Sequence, residues 1–228
     1  MKKMIFQKQK LFKYFLLLAI AFTFASVLKG MLQAVEERVL PPPGGMEYYS
    51  FGFEETLSDL LWLNFIQNSY ECTQKKVCVH DWGYRTLKQA TLLAPKFRSL
   101  YSLGATNLSI LADDDRGAKE IFDRGLAEYP NDWEINYRAG YHYLLELDNP
   151  ERAAQLFDQA ARYGAPLWTR SLSANLYSRV GQLETSERIL KDMLNYEMGE
   201  EWEQALKTRL EEVQTRLRTQ KLQDSLKN

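Results

Sequence analysis

Apolar positions return every three or four residues along most of this chain, the interval of a helix with one buried face. The clearest case comes last, where Trp202, Leu206, Leu210, Val213 and Leu217 step by 4, 4, 3 and 4 through an otherwise charged stretch. The same interval predicts helices over Glu54–Tyr70, Trp82–Leu93, Arg98–Leu111, Gly117–Glu128 and Trp133–Leu147. It continues over Glu151–Tyr163, Trp168–Val180, Glu184–Tyr196 and Glu200–Lys221. Alternating strand patterns are missing from these segments, so the expected fold class is all-α.

A longer period lies over the helical one. Gly83, Ala118, Ala153 and Ser186 are small and stand 35, 35 and 33 residues apart. Four positions after each comes a larger apolar residue: Leu87, Phe122, Phe157 and Leu190. Three further on are Ala90, Gly125, Ala160 and Met193, and Pro95 and Pro130 close two of the units. A recurrence of this length is the mark of a stacked solenoid, whose units bury their apolar faces on one another. The terminal helix, with one apolar stripe and one wet face, suits the cap such an array needs.

The start of the chain is different. Tyr14–Leu28 is fifteen residues without a charge, short of the roughly 20 that span a bilayer. Lys13 and Lys29 can snorkel to the two interfaces and extend the usable stretch. The expectation is a single-pass anchor over 14–32, with a basic cytoplasmic N-terminus over 1–13; a cleaved signal peptide is the alternative. A stalk over 33–52, broken at Pro41-Pro42-Pro43-Gly44-Gly45, then leads to a repeat domain over 53–196 and a cap over 197–228. Six of the 29 basic residues and none of the 30 acids fall in residues 1–30, so the remainder carries a net charge of -7. A body of that sign argues against nucleic acid as a partner. Lysines before the apolar segment predict an inner-membrane protein with its body outside the cytoplasm.

Outside the cytoplasm, Cys72 and Cys78 are expected to form a disulfide that pins the intervening loop. The alternative, a metal site of Cys72, Cys78 and His80, offers three ligands and lacks a fourth. No nucleotide-binding, metalloprotease or serine-hydrolase motif stands in the chain, so no catalytic residue, metal or cofactor is assigned. Asp113-Asp114-Asp115 reads as a solvated turn with one aspartate capping the next helix, and Asp81 as another N-cap. His142, in a tyrosine-rich stretch, reads as a packed or groove-lining residue.

The stretches GAKEIFDRGLAEYP (Gly117–Pro130), ERAAQLFDQAARYGAP (Glu151–Pro166) and GQLETSERILKDML (Gly181–Leu194) resemble the second half of the tetratricopeptide repeat. Tyr101, Gly104, Ala105 and Leu108, and Tyr137, Gly140 and Tyr141, fit the first half approximately. Arg170, Ser186 and Met193 depart from the pattern. The resemblance, to the membrane-anchored bacterial type, implies helix–turn–helix units that line a concave groove with their first helices. By the repeat register Ser102, Thr106, Arg138, His142, Asn175 and Arg179 face that groove. Arg138 and Arg179 would there clamp a carboxylate or an acidic segment, unless glutamates such as Glu134 or Glu146 already pair them. The expected role is a scaffold for a protein or peptide partner in the cell envelope. The alternative is an accessory subunit held by its membrane helix, with the repeats as a spacer.

Overall fold

The computed structural model describes residues 22–26, 41–75, 78 and 81–227. Most of the anchor segment 14–32 and all of 1–13 lie outside these residues; 22–26 are helical. Among the described residues no helix is long and apolar enough to cross a membrane. The same residues contain no strand.

After a 3₁₀ turn at Met46–Tyr48 come α1 (Glu54–Lys75) and α2 (Trp82–Leu93). The third helix, α3, is a π-helical turn at Leu100–Gly104 running into Ala105–Ile110. It is followed by α4 (Asp115–Glu128), α5 (Trp133–Leu145), α6 (Pro150–Arg162), α7 (Trp168–Arg179), α8 (Leu183–Met193) and α9 (Glu200–Lys227). Each helix packs on the next in sequence, and beyond that α2 touches α4 and α3 touches α5. This is the nearest-neighbour order of a tandem helical array.

The long period of the sequence is a period of burial. Ala118, Ala153 and Ser186 are fully buried, as are Leu87, Phe157 and Leu190, with Phe122 at 1% exposure. Small residues let the axes approach, and the larger ones fill the space between pairs. Ser186 acts as a small residue because its hydroxyl donates to the Ala174 carbonyl at 2.7 Å. A buried hydroxyl without such a partner would be costly. Gly125 faces Tyr101 so closely that a Cβ there would stand 2.6 Å from the tyrosine Cβ.

The turns inside the hairpins repeat as well. Asp113, Asp148 and Gly181 each take positive φ, at 53, 45 and 82°. The next residue's N–H then donates back into the preceding helix: Asp114 to Leu108, Asn149 to Tyr143 and Gln182 to Tyr177, at 3.0, 2.8 and 2.9 Å. Aspartate tolerates the left-handed region better than most residues, and glycine enters it freely. Asp114 and Asn149 cap α4 and α6 through their side chains. Asp81 does not cap α2, because its backbone is left-handed and its carboxylate accepts no bond from the first turn.

The two ends differ. On α9, Leu206, Val213 and Leu217 are buried, while Trp202 is 46% exposed. At the other end Cys72 and Cys78 form a disulfide with Cα atoms 4.9 Å apart, closing the C-terminus of α1. The end of the 33–52 segment is fastened rather than free: Gly45 N–H donates to Gln89, and Gln89 donates to Glu47. Phe65 on the inner face of α1 is buried, yet Leu60, Leu63, Ile66 and Tyr70 of the same helix are exposed, as is Phe53 just before it. That end of the array therefore presents an apolar face.

Candidate functional site

The first helices α3 and α5 run side by side and leave a cleft of about 250 Å³ between them. Phe122 of α4 and the paired Ser109 and His142 form its floor. Thr106 and Ile110 make one wall, and Tyr137, Tyr141 and Leu145 the other; Arg138 and Glu146 complete the lining. Ile110 is 71% exposed and Leu145 67%, large aliphatic groups held at the mouth of a concavity. An apolar cleft with a few polar groups at its edge is the usual form of a recognition site.

Its shape depends on core residues. Phe157 of α6 meets Tyr137 and Tyr141 edge-on, with ring centroids 5.9 and 5.1 Å apart, and Tyr137 also touches Trp168. Gly140 permits the approach: a Cβ there would stand 2.9 Å from the Phe157 ring. On the opposite wall the Thr106 hydroxyl donates to the Ser102 carbonyl at 2.6 Å.

His142 joins three helices. Its Nδ1 lies 2.8 Å from Ser109 Oγ on α3, and its Nε2 lies 3.1 Å from the Asp115 carbonyl at the start of α4. A carbonyl only accepts, so Nε2 carries the proton and Ser109 donates to Nδ1. Burial pushes the His142 pKa down; Asp115, Glu146 and Asp123 pull it up but by less. The imidazole is thus held neutral, with both nitrogens occupied. Protonation would put a charge in a buried site and reverse the Ser109 bond, with Nδ1 then donating to the hydroxyl, and the unfolded chain takes the proton more readily. Stability is full above about pH 6.5, the ordinary value, and is lost as pH falls through the depressed folded value. Chemical denaturation between pH 7.5 and 5 is expected to show this loss, and His142→Gln, which keeps a donor and an acceptor, is expected to flatten it.

Arg138 is held by its own helix: its Nε donates to Glu134 at 2.9 Å. Glu134 also accepts from Arg98 at 2.7 Å, and Arg98 binds both oxygens of Asp132, at 2.5 and 2.9 Å. Asp132 in turn caps α5 through the N–H groups of Glu134 and Ile135. The Arg98 guanidinium holds both carboxyls below their usual range. Their contribution is therefore present above the ordinary carboxylate range and lost as pH falls below it, whereas the loss at His142 begins below about pH 6.5.

Of the six groove candidates, Thr106, Arg138 and His142 come together in this cleft. Ser102 is buried in the π turn. Asn175 and Arg179 lie on α7 and are not among the lining residues, so Arg138 and Arg179 do not share the cleft. Sequence reasoning did not place Ile110, Tyr137, Tyr141, Leu145 or Glu146 in the groove, although it named the tyrosines as pattern residues and Glu146 as a possible arginine partner. Ile110 and Leu145 carry a signal: they are large apolar residues 35 apart, at positions the buried lattice does not use. Among the described residues no group of His, Cys, Asp and Glu could hold a metal ion. Cys72 and Cys78 are spent on their disulfide. No protein-family model and no curated protein matches the chain.

Proposed function

We propose that the protein is a tetratricopeptide-type adaptor, tethered to the inner membrane through residues 14–32, that captures a segment of a protein partner outside the cytoplasm. The observation that carries this reading is the cleft between α3 and α5. Ile110 and Leu145 stand exposed at its mouth, and nothing among the described residues covers them. An anchoring side chain entering between Tyr137, Tyr141 and Phe122 would bury apolar surface worth about 25 cal/mol per Å². The basic start of the chain, its apolar segment and the disulfide agree with an exported body.

A second reading is favoured by the exposed face of α1. An accessory subunit would pack Leu60, Leu63 and Ile66 against another member of its complex, leaving the repeats as a spacer. Affinity isolation of the full-length protein from its native membranes separates the two. Under the adaptor reading, Ile110→Asp/Leu145→Asp removes the bound partner and Leu60→Asp/Leu63→Asp leaves it. The reverse pattern would establish the accessory-subunit reading instead.

A further inference from the structure

Resting on the cleft as a binding site, we infer that its partner is a cationic amphipathic segment, which sets an apolar side chain in the cleft and a lysine or arginine beside Glu146. The sequence leaves two readings of Arg138 and Arg179 open, a clamp on an acidic ligand or pairing with glutamates such as Glu134 and Glu146. The structure removes the clamp. Arg138 is neutralised by Glu134, and Arg179 is outside the cleft.

What remains at the rim is negative. Glu146 lines the cleft, is exposed, and makes no ion pair among the described residues. The turns at either side of the mouth are acidic. Residues 113–116 hold three aspartates and Arg116, a net charge of -2, and residues 146–152 hold Glu146, Asp148, Glu151 and Arg152, again -2. The third such turn, 179–184, holds only Arg179 and Glu184 and sums to zero. The negative edge therefore belongs to the two hairpins that build the cleft. Both α3 and α5 also end here, at Ile110 and Leu145, so their carbonyl ends add partial negative charge to the same edge. Apolar anchors flanked by opposite charge define orientation as well as affinity. A segment docked this way places its basic group toward the α3–α4 and α5–α6 turns.

The test uses the full-length protein in phosphatidylcholine nanodiscs, with empty nanodiscs subtracted. Three fluorescent peptides of one length and pattern are titrated: leucine/lysine, leucine/glutamate and serine/lysine. The leucine/lysine peptide is expected to bind at least about tenfold more tightly than either other, and Glu146→Lys to cost it about tenfold. Glu146→Lys sits at the exposed C-cap of α5, where a cation suits the helix, so its thermal unfolding should match wild type. Equal binding of leucine/lysine and leucine/glutamate peptides, with Glu146→Lys silent, would overturn the cationic preference while leaving the cleft as a site. Equal binding of serine/lysine and leucine/lysine peptides would overturn it too. Binding of both leucine peptides that ignores Leu145→Ser would instead remove the cleft itself.

Discussion

Phe157→Ala is expected to destabilise the array by about 3–5 kcal/mol, and to broaden its unfolding. The ring is fully buried, lies against Gly140, and makes edge contacts with Tyr137 and Tyr141. Truncation loses the transfer energy of the ring, leaves a cavity, and forfeits about 0.5–1.5 kcal/mol for each aromatic pair. Tyrosines that follow the missing ring inward would withdraw from the wall of the cleft they line. Because each hairpin is held only by its neighbours, a break between α5 and α6 should uncouple the two ends of the array. Urea denaturation followed by circular dichroism should then give a lower midpoint and a shallower slope. Phe157→Leu, which keeps most of the volume, should cost less than about 1.5 kcal/mol. Similar losses for the two variants would mean that ring packing does not hold this joint.

Gly125→Leu is the second large effect, and here two terms compete. Leucine gains about 1 kcal/mol over glycine in a helix interior. Against that, the new side chain must displace Tyr101, whose Cβ and Cγ would stand 2.6 and 2.9 Å from the added Cβ. Those atoms are tied to the backbone of α3 and cannot swing aside, and overpacking costs about 1–3 kcal/mol, sometimes more. A net loss of about 2 kcal/mol is expected, read by the same denaturation. Gly104→Ala is the internal comparison, since its added Cβ meets a terminal methyl of Leu87 at 2.8 Å rather than atoms fixed to the backbone. That variant should fall within about 1 kcal/mol of wild type. A neutral Gly125→Leu would show that α3 and α4 are less closely apposed than described.

The second helices were legible because their burial is dictated by one lattice. Ala118 and Phe122, Ala153 and Phe157, and Ser186 and Leu190 each occupy equivalent buried places. A small residue followed four later by a large one leaves little freedom in how the helix is turned. The disulfide was equally legible, from two cysteines enclosing a polar loop. The first helices carry no such lattice. Their groove-facing residues depend on helix rotation, which a period alone leaves open, and the π turn at Leu100–Gly104 turns Ser102 inward. Arg138 shows a second limit. Its pairing with Glu134 on the same helix was one of the readings the sequence left open, but that Arg98 of the preceding hairpin also holds Glu134 was not readable. Charge that is shared between repeats does not show in the composition of either one.

The adaptor reading is tested most directly by photocrosslinking from inside the cleft. A benzoylphenylalanine at Leu145, in full-length protein in its native membranes, is expected to give one dominant protein adduct. The adduct should be competed away by the leucine/lysine peptide and should not form from Arg85, an exposed position on α2. Equal labelling from Leu145 and Arg85, or none that the peptide displaces, would contradict the claim that this cleft holds a partner.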